Sequence, residues 1–221
     1  MKLPTAYTTY LMIRTAMAFL MTAAFATSGV YRFQMAGLSP LQLLLVGTTL
    51  ELSVFLFEIP TGIVADLYSR RLSMLVGYTL IGAGVFLEGA LPLFITILMA
   101  QVLWGVGYTF TSGAIDAWLA DEIGEGRLSP TYLRATQFSQ IAAFAGIIAG
   151  TALASVRLNV PFLVCGTGIL LLALYLYFML PETNFTPTPR GERNTWQSMV
   201  HTFGQGMTVI RSKPLLITVL G

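Results

Sequence analysis

The sequence is poor in most of what soluble enzymes use for chemistry. It has one cysteine (Cys165) and one histidine (His201) in 221 residues. A lone cysteine excludes a disulfide framework, and the two residues together leave no Cys/His metal cluster. A hydrolase built on a nucleophile and a histidine base would have to use His201, which lies in a polar segment far in sequence from any serine-bearing turn. The reading is therefore a non-enzymatic chain that needs no cofactor. Charge is equally scarce. Asp, Glu, Lys and Arg make up 10% of the residues, against about 25% in soluble domains. A net charge of +2 gives no basic surface for nucleic acid. What the chain does have is apolar: 55% of it is hydrophobic and the mean hydropathy is +0.75. That balance belongs to an integral membrane protein, with the lipid bilayer as its first partner.

A spanning helix needs about 20 mostly apolar residues. Six segments qualify, at residues 7–31, 41–64, 72–91, 93–120, 133–156 and 161–180. The first is read as a retained helix rather than a signal peptide, because it is long and carries Arg14 inside it. The expected fold class is thus all-α and integral to the membrane, with six spans. Lys and Arg set the orientation. Lys2, Arg70, Arg71, Arg127, Arg134, Arg190, Arg193, Arg211 and Lys213 fall on one side, and only Arg32 and Arg157 on the other. The N-terminus is expected on the cytoplasmic side of the cell membrane. The opposite turns, at residues 89–92 and 157–161, are short, so helices adjacent in sequence are expected to pack as antiparallel pairs. Residues 1–182 form the membrane part. Residues 183–214 read as a cytoplasmic loop, starting Pro/Thr-rich and continuing from Asn194 with Trp196, Met199, Val200, Phe203, Met207 and Ile210 at helical spacing, as an amphipathic helix. Residues 215–221 look like the start of a seventh span.

Charges inside membrane segments are costly and mark pathways or pairs. At 1.5 Å of rise per residue, Arg14, Glu58 and Asp116 lie roughly 6–10 Å from the inner ends of three different spans. They are expected to form a polar cluster. Glu51 is one heptad before Glu58 and falls near the midplane, where transporters bind substrates and coupling ions. It is the candidate for proton coupling. Glu88, near the outer end of the third span, reads as a solvated interfacial group. Tyr10, Phe19, Phe25, Tyr108, Phe110 and Trp118 are candidates for an apolar cavity. Gly105 and Gly113, and Gly146 and Gly150, are placed to let helices approach closely.

The densest polar stretch runs from Glu58 to Arg71 and reads as a tight cytoplasmic turn between the second and third spans. Within it, Gly62, Asp66, Arg70 and Arg71 fall in the G-x-x-x-D-[RK]-x-G-R-[RK] pattern, with Leu67 and Ser69 at two positions where a basic residue and glycine are usual. The stretch resembles the signature of the major facilitator superfamily. The segments Glu58-Ile59-Pro60-Thr61-Gly62 and Ser112-Gly113-Ala114-Ile115-Asp116-Ala117 are similar to its drug- and tetracycline-efflux-like members, and Pro181-Glu182-Thr183 is similar to the family's close of the sixth span. The resemblance implies a secondary transporter of small molecules. It also implies the N-terminal six-helix half of a twelve-span fold, built from two three-helix repeats. The missing C-terminal half would be the partner, and export by proton exchange the activity. It gives Asp66 a role against a helix of the opposite half, and pairs Arg70 with Asp116 or Asp121, so that Gly62, Asp66, Arg70, Arg71 and Asp121 form a cytoplasmic gate. Import of a small solute, or a half that does not transport without a partner, are the alternatives.

Overall fold

The computed structural model describes residues 5–185, and all regular structure among them is helical. In chain order the helices are α1 (Ala6–Phe25), α2 (Ser28–Val30) leading into a π turn (Tyr31–Met35), α3 (Pro40–Leu67) and α4 (Arg70–Ala90). They are followed by α5 (Phe94–Ser112), α6 (Ala114–Ile123), a 3-10 turn (Glu125–Arg127), α7 (Leu128–Val156) and α8 (Val160–Met179). Among the described residues, six stretches are long and apolar enough to cross a membrane. The first runs Ala6–Met35 through the π turn, the fourth joins α5 and α6 as Phe94–Ile123, and the fifth runs Glu125–Val156. The amphipathic helix expected from Asn194 and the expected start of a seventh span at residues 215–221 lie outside the described residues.

Local chemistry sets the helix ends. Ser39 and Gln42 form a reciprocal capping box at the start of α3, with Pro40 in its first turn, so two otherwise orphaned N–H groups are satisfied. Gly37, at φ +65, supplies the left-handed residue that turns the chain into that cap. Ser69 caps α4 by accepting from the Leu72 N–H at 2.9 Å.

The helices pack as two interleaved triplets. The first span, α3 and α4 make one, and α5 with α6, α7 and α8 make the other. The leading helix α1 packs mainly on α7, the middle helix of the other triplet, α5 packs on both α4 and α3, and the third helices, α4 and α8, pack on each other. Glycines set these contacts. A Cβ on Gly146 would lie 2.6 Å from the Phe19 carbonyl oxygen, and one on Gly105 would lie 2.7 Å from Ser53 Cβ. Gly166 meets the Phe86 backbone across α4 and α8 in the same way.

Two expectations need correction. The stretch from Glu58 to Arg71 is not a turn: α3 runs helically through Pro60 to Leu67, and only Tyr68 and Ser69 separate it from α4. Pro60 is carried inside the helix, where its missing N–H removes one hydrogen bond without ending the helix. Sequence neighbours also do not all pair. α4 and α5 do pack closely, but α7 and α8, joined by a short turn, touch little. Gly146 and Gly150 draw α7 onto α1 instead. Gly113 makes no close contact; it stands at the break between α5 and α6.

Candidate functional site

A cavity of about 480 Å3 opens between α1, α4, α5, α6 and α7. Ile13, Met17, Met21, Ile81, Trp104 and Ile115 give it an apolar wall, and Arg14 and Asp116 bring opposite charges to it. The break at Gly113 places Asp116 in the first turn of α6, where a helix N-terminus favours a negative group. Tyr10 donates its hydroxyl to Asp116 Oδ1 at 3.0 Å. Among the described residues the ion pairs are Arg32–Glu88 and Arg70–Asp121. Arg14 and Asp116 therefore share a cavity without pairing. Both are exposed, so each side chain is accessible to a molecule in the cavity. The Ser139 hydroxyl, also on the lining, is buried without a hydrogen-bond partner.

The other members of the expected cluster stand apart. Glu51 and Glu58 are exposed on α3, and neither lines the cavity. Of the six aromatics expected around a cavity, only Tyr108 lines this one. Phe25 stacks on Trp104 at 4.6 Å and meets Phe162 edge-on at 5.3 Å. Trp118 is buried and donates to the Pro181 carbonyl at 2.6 Å.

The gate-motif residues gather at one end of the bundle. Arg70 Nε lies 2.8 Å from Asp121 Oδ2, so its acid is Asp121 and not Asp116. Gly62 and Asp66 are exposed on the last turns of α3. The chain after α8 is tied into the same region. Glu182 accepts from the Ser69 hydroxyl at 2.7 Å and from the Arg71 N–H at 2.9 Å, so its carboxylate sits on the start of α4. Arg71 donates to the Tyr177 carbonyl. Glu122 accepts from the Thr183 N–H at 2.6 Å and its hydroxyl at 2.7 Å.

Glu88 is the largest departure from the sequence reading. It is not a solvated interfacial group; it is 1% exposed. Arg32 Nε, on the π turn, and Gln101 Nε2, on α5, each donate to its carboxylate at 2.8 Å. Tyr31 donates to its backbone carbonyl, and Asn159 donates to that of Gly89 at 3.0 Å. A charge buried this deeply persists only when paired and hydrogen-bonded. The sequence did carry one signal: Gln101, a polar side chain within an apolar run, needs a partner.

The six-helix arrangement, the interleaved triplets and the Gly62–Arg71 segment point the same way as direct comparison. The family model of the Major Facilitator Superfamily matches residues 5–221. The chain belongs to the Major Facilitator Superfamily. It is also similar to the uncharacterized MFS-type transporter YxaM of Bacillus subtilis (strain 168), at 27% identity over 187 residues, covering 82% of this chain and 46% of that protein. The chain thus spans about half the length of the curated relative it matches. Major facilitator proteins are membrane secondary transporters, a non-enzymatic class, and the described residues have the form expected of the N-terminal half of that fold.

Proposed function

We propose that the chain is the N-terminal six-helix half of a twelve-span, proton-coupled exporter of amphipathic small molecules in the cell membrane, with its N-terminus in the cytoplasm. One observation carries this reading: Arg14 and Asp116 stand unpaired in a cavity whose remaining wall is largely Met, Ile and Trp. Such a lining suits a molecule with an apolar body and a polar end. Asp116 would receive a cationic group, with Tyr10 holding the carboxylate in place.

Glu51 is the proton-coupling residue in this proposal. It lies on a face of α3 that is open in this half. Only 11% of the apolar stretch of α3, and of the fifth span, is buried, against 56% for α4. Their exposed residues include Thr48, Glu51, Glu58, Gln137 and Gln140. Polar groups facing lipid are expensive, so these two helices are where the C-terminal half would dock. Glu51 would then meet that half near the midplane, and Gly62, Asp66, Arg70, Arg71 and Asp121 would close the cytoplasmic end. The same openness favours a second reading, that this chain transports nothing until a partner half is present.

The test is flux in proteoliposomes holding both halves, with a lipophilic fluorescent cation as the transported probe and an imposed pH gradient. Outward-type exchange against protons is expected. Glu51→Gln should abolish the pH-driven component while leaving cation binding, and Asp116→Asn should weaken cation binding at least tenfold. Uptake running with the proton gradient would identify an importer. Unchanged pH-driven flux in Glu51→Gln would remove Glu51 from the coupling role.

A further inference from the structure

The seam between α1 and α7 carries two concavities in line. At one end Tyr7, Ile123, Arg127, Pro130, Thr131 and Arg134 line a pocket of about 360 Å3. Further along the same two helices, Leu11, Phe19, Phe138 and Ala142 help to line a groove of about 500 Å3 that is almost wholly apolar. Tyr7 and Leu11 are one helical turn apart on α1, and Arg134 and Phe138 one turn apart on α7, so the two sites follow each other directly.

The first pocket has two guanidinium groups and no acid on its lining. Neither arginine has an ion pair among the described residues. The neighbouring carboxylates are engaged elsewhere: Asp121 faces Arg70, Glu122 accepts from Thr183 and Asn184, and Glu182 accepts from Ser69 and Arg71. Glu125 is exposed and outside the lining. Two arginines converging on one pocket are suited to a phosphate, which a guanidinium can bind through two parallel hydrogen bonds. The pocket also lies at the ends of two membrane-crossing helices, which is headgroup depth, and tyrosine is favoured at that level.

We propose that this seam binds one anionic glycerophospholipid. Arg127 and Arg134 hold the phosphodiester, Tyr7 and Pro130 pack on the glycerol, and an acyl chain lies along the groove between Leu11, Phe19 and Phe138. The basic pocket selects charge and the groove selects a chain, so a free phosphate ester satisfies only half of the site.

Native mass spectrometry of the delipidated full chain tests this, with dioleoyl phosphatidylglycerol, dioleoyl phosphatidylcholine and glycerol 3-phosphate as separate probes. Phosphatidylglycerol should bind at least tenfold more tightly than phosphatidylcholine. Arg127→Gln with Arg134→Gln should reduce it to the phosphatidylcholine level, whereas Arg157→Gln, at the opposite end of α7, should leave it unchanged. Ala142→Trp, which fills the groove, should weaken both lipids. Arg134→Lys keeps the charge without the fork and should give an intermediate loss, which covers the case in which the double variant fails to fold. Equal binding of the two lipids, an equal loss in Arg157→Gln, or glycerol 3-phosphate binding as tightly as the lipid would each overturn the proposal.

Discussion

Removing Arg32 should unlock the end of the bundle at which α4 meets α5. Its guanidinium is 17% exposed, and the Glu88 carboxylate beneath it is 1% exposed. Arg32→Met leaves that carboxylate with Gln101 as its remaining side-chain donor. Breaking a buried pair by deleting one partner costs about 3–5 kcal/mol, because the other charge stays buried. At about 1.4 kcal/mol per decade, the low end alone shifts the unfolding equilibrium more than 100-fold. Glu88→Leu should cost a similar amount by the converse route, stranding Arg32 and leaving the Gln101 amide without its acceptor. The double variant Arg32→Met with Glu88→Leu strands no charge. Its cost should fall well below the sum of the single losses, since apolar replacement of a whole buried pair is often close to neutral. A coupling of about 2 kcal/mol or more is the expectation.

Tryptophan fluorescence is the natural readout. Trp104 stacks on Phe25 at 4.6 Å, and the Arg32 guanidinium carbon lies 5.9 Å from the centre of the Phe25 ring. Unfolding in mixed micelles, by titration with a denaturing detergent, would report each variant against the parent. The expected order is parent most stable, then the double variant, then either single variant. Additive losses would show that the two charges do not depend on one another, and a neutral Arg32→Met would show that Glu88 is not buried against it. Either result would refute the argument.

Three further outcomes follow from the geometry. Arg70 and Asp121 are 18% and 26% exposed, so Arg70→Ala should cost only about 0.5–1 kcal/mol of stability, and Arg70→Asp with Asp121→Arg should recover it in the same micelle titration. Glu182→Ala removes the acceptor for the Ser69 hydroxyl and the Arg71 N–H, a loss of about 1–3 kcal/mol, and amide exchange should quicken first at residues 69–72. A Cβ on Gly150 would land on the Ala23 carbonyl, whereas one on Gly47 meets nothing within 4 Å. Gly150→Val should therefore destabilise the α1–α7 contact by about 1–3 kcal/mol or more, and Gly47→Ala should change the unfolding midpoint little.

Spans were legible from the sequence because length and hydropathy in a bilayer leave helices as the ready solution. All six segments coincide with spans, although α3 and α7 extend several residues past the apolar limits, at Ala65–Leu67 and at Leu128–Tyr132. One juxtaposition within the expected cluster was legible too. Arg14 and Asp116 reach one cavity because equal rise from the same end brings residues on different helices level. Azimuth was not legible. Glu58 is exposed on α3 and does not line the cavity, and a featureless apolar helix gives no rotational reference. Neighbour choice was hidden for the same reason: whether α7 packs on α8 or on α1 rests on where Gly146 and Gly150 find a backbone, and small residues alone do not name their partner. Glu88 was misread because proximity to a helix end was taken as exposure, while the π turn at Tyr31–Met35 folds Arg32 back over it.

The polar groups divide by destination, and that division carries the functional argument furthest. Several on α4, α5, α6 and the two ends of α8 are used internally. Glu88, Gln101 and Asn159 serve one end of the bundle, and Arg71, Trp118 and Glu182 the other. Between those ends, glycines bring α4 into backbone contact with α5 and α8, as a Cβ at Gly77, Gly84 or Gly166 would collide. A body tied at both ends and closely packed between them deforms little, because each shift would strand buried partners. Among the polar groups left over, Glu51, Glu58 and Asp66 on α3 and Gln137 and Gln140 on α7 are exposed. If a second half docks there, motion should be concentrated at that interface. Hydrogen exchange then has a definite expectation: binding of the cation probe should change protection along α3 and α7, and leave the amides of α4 and α8 as slow as before.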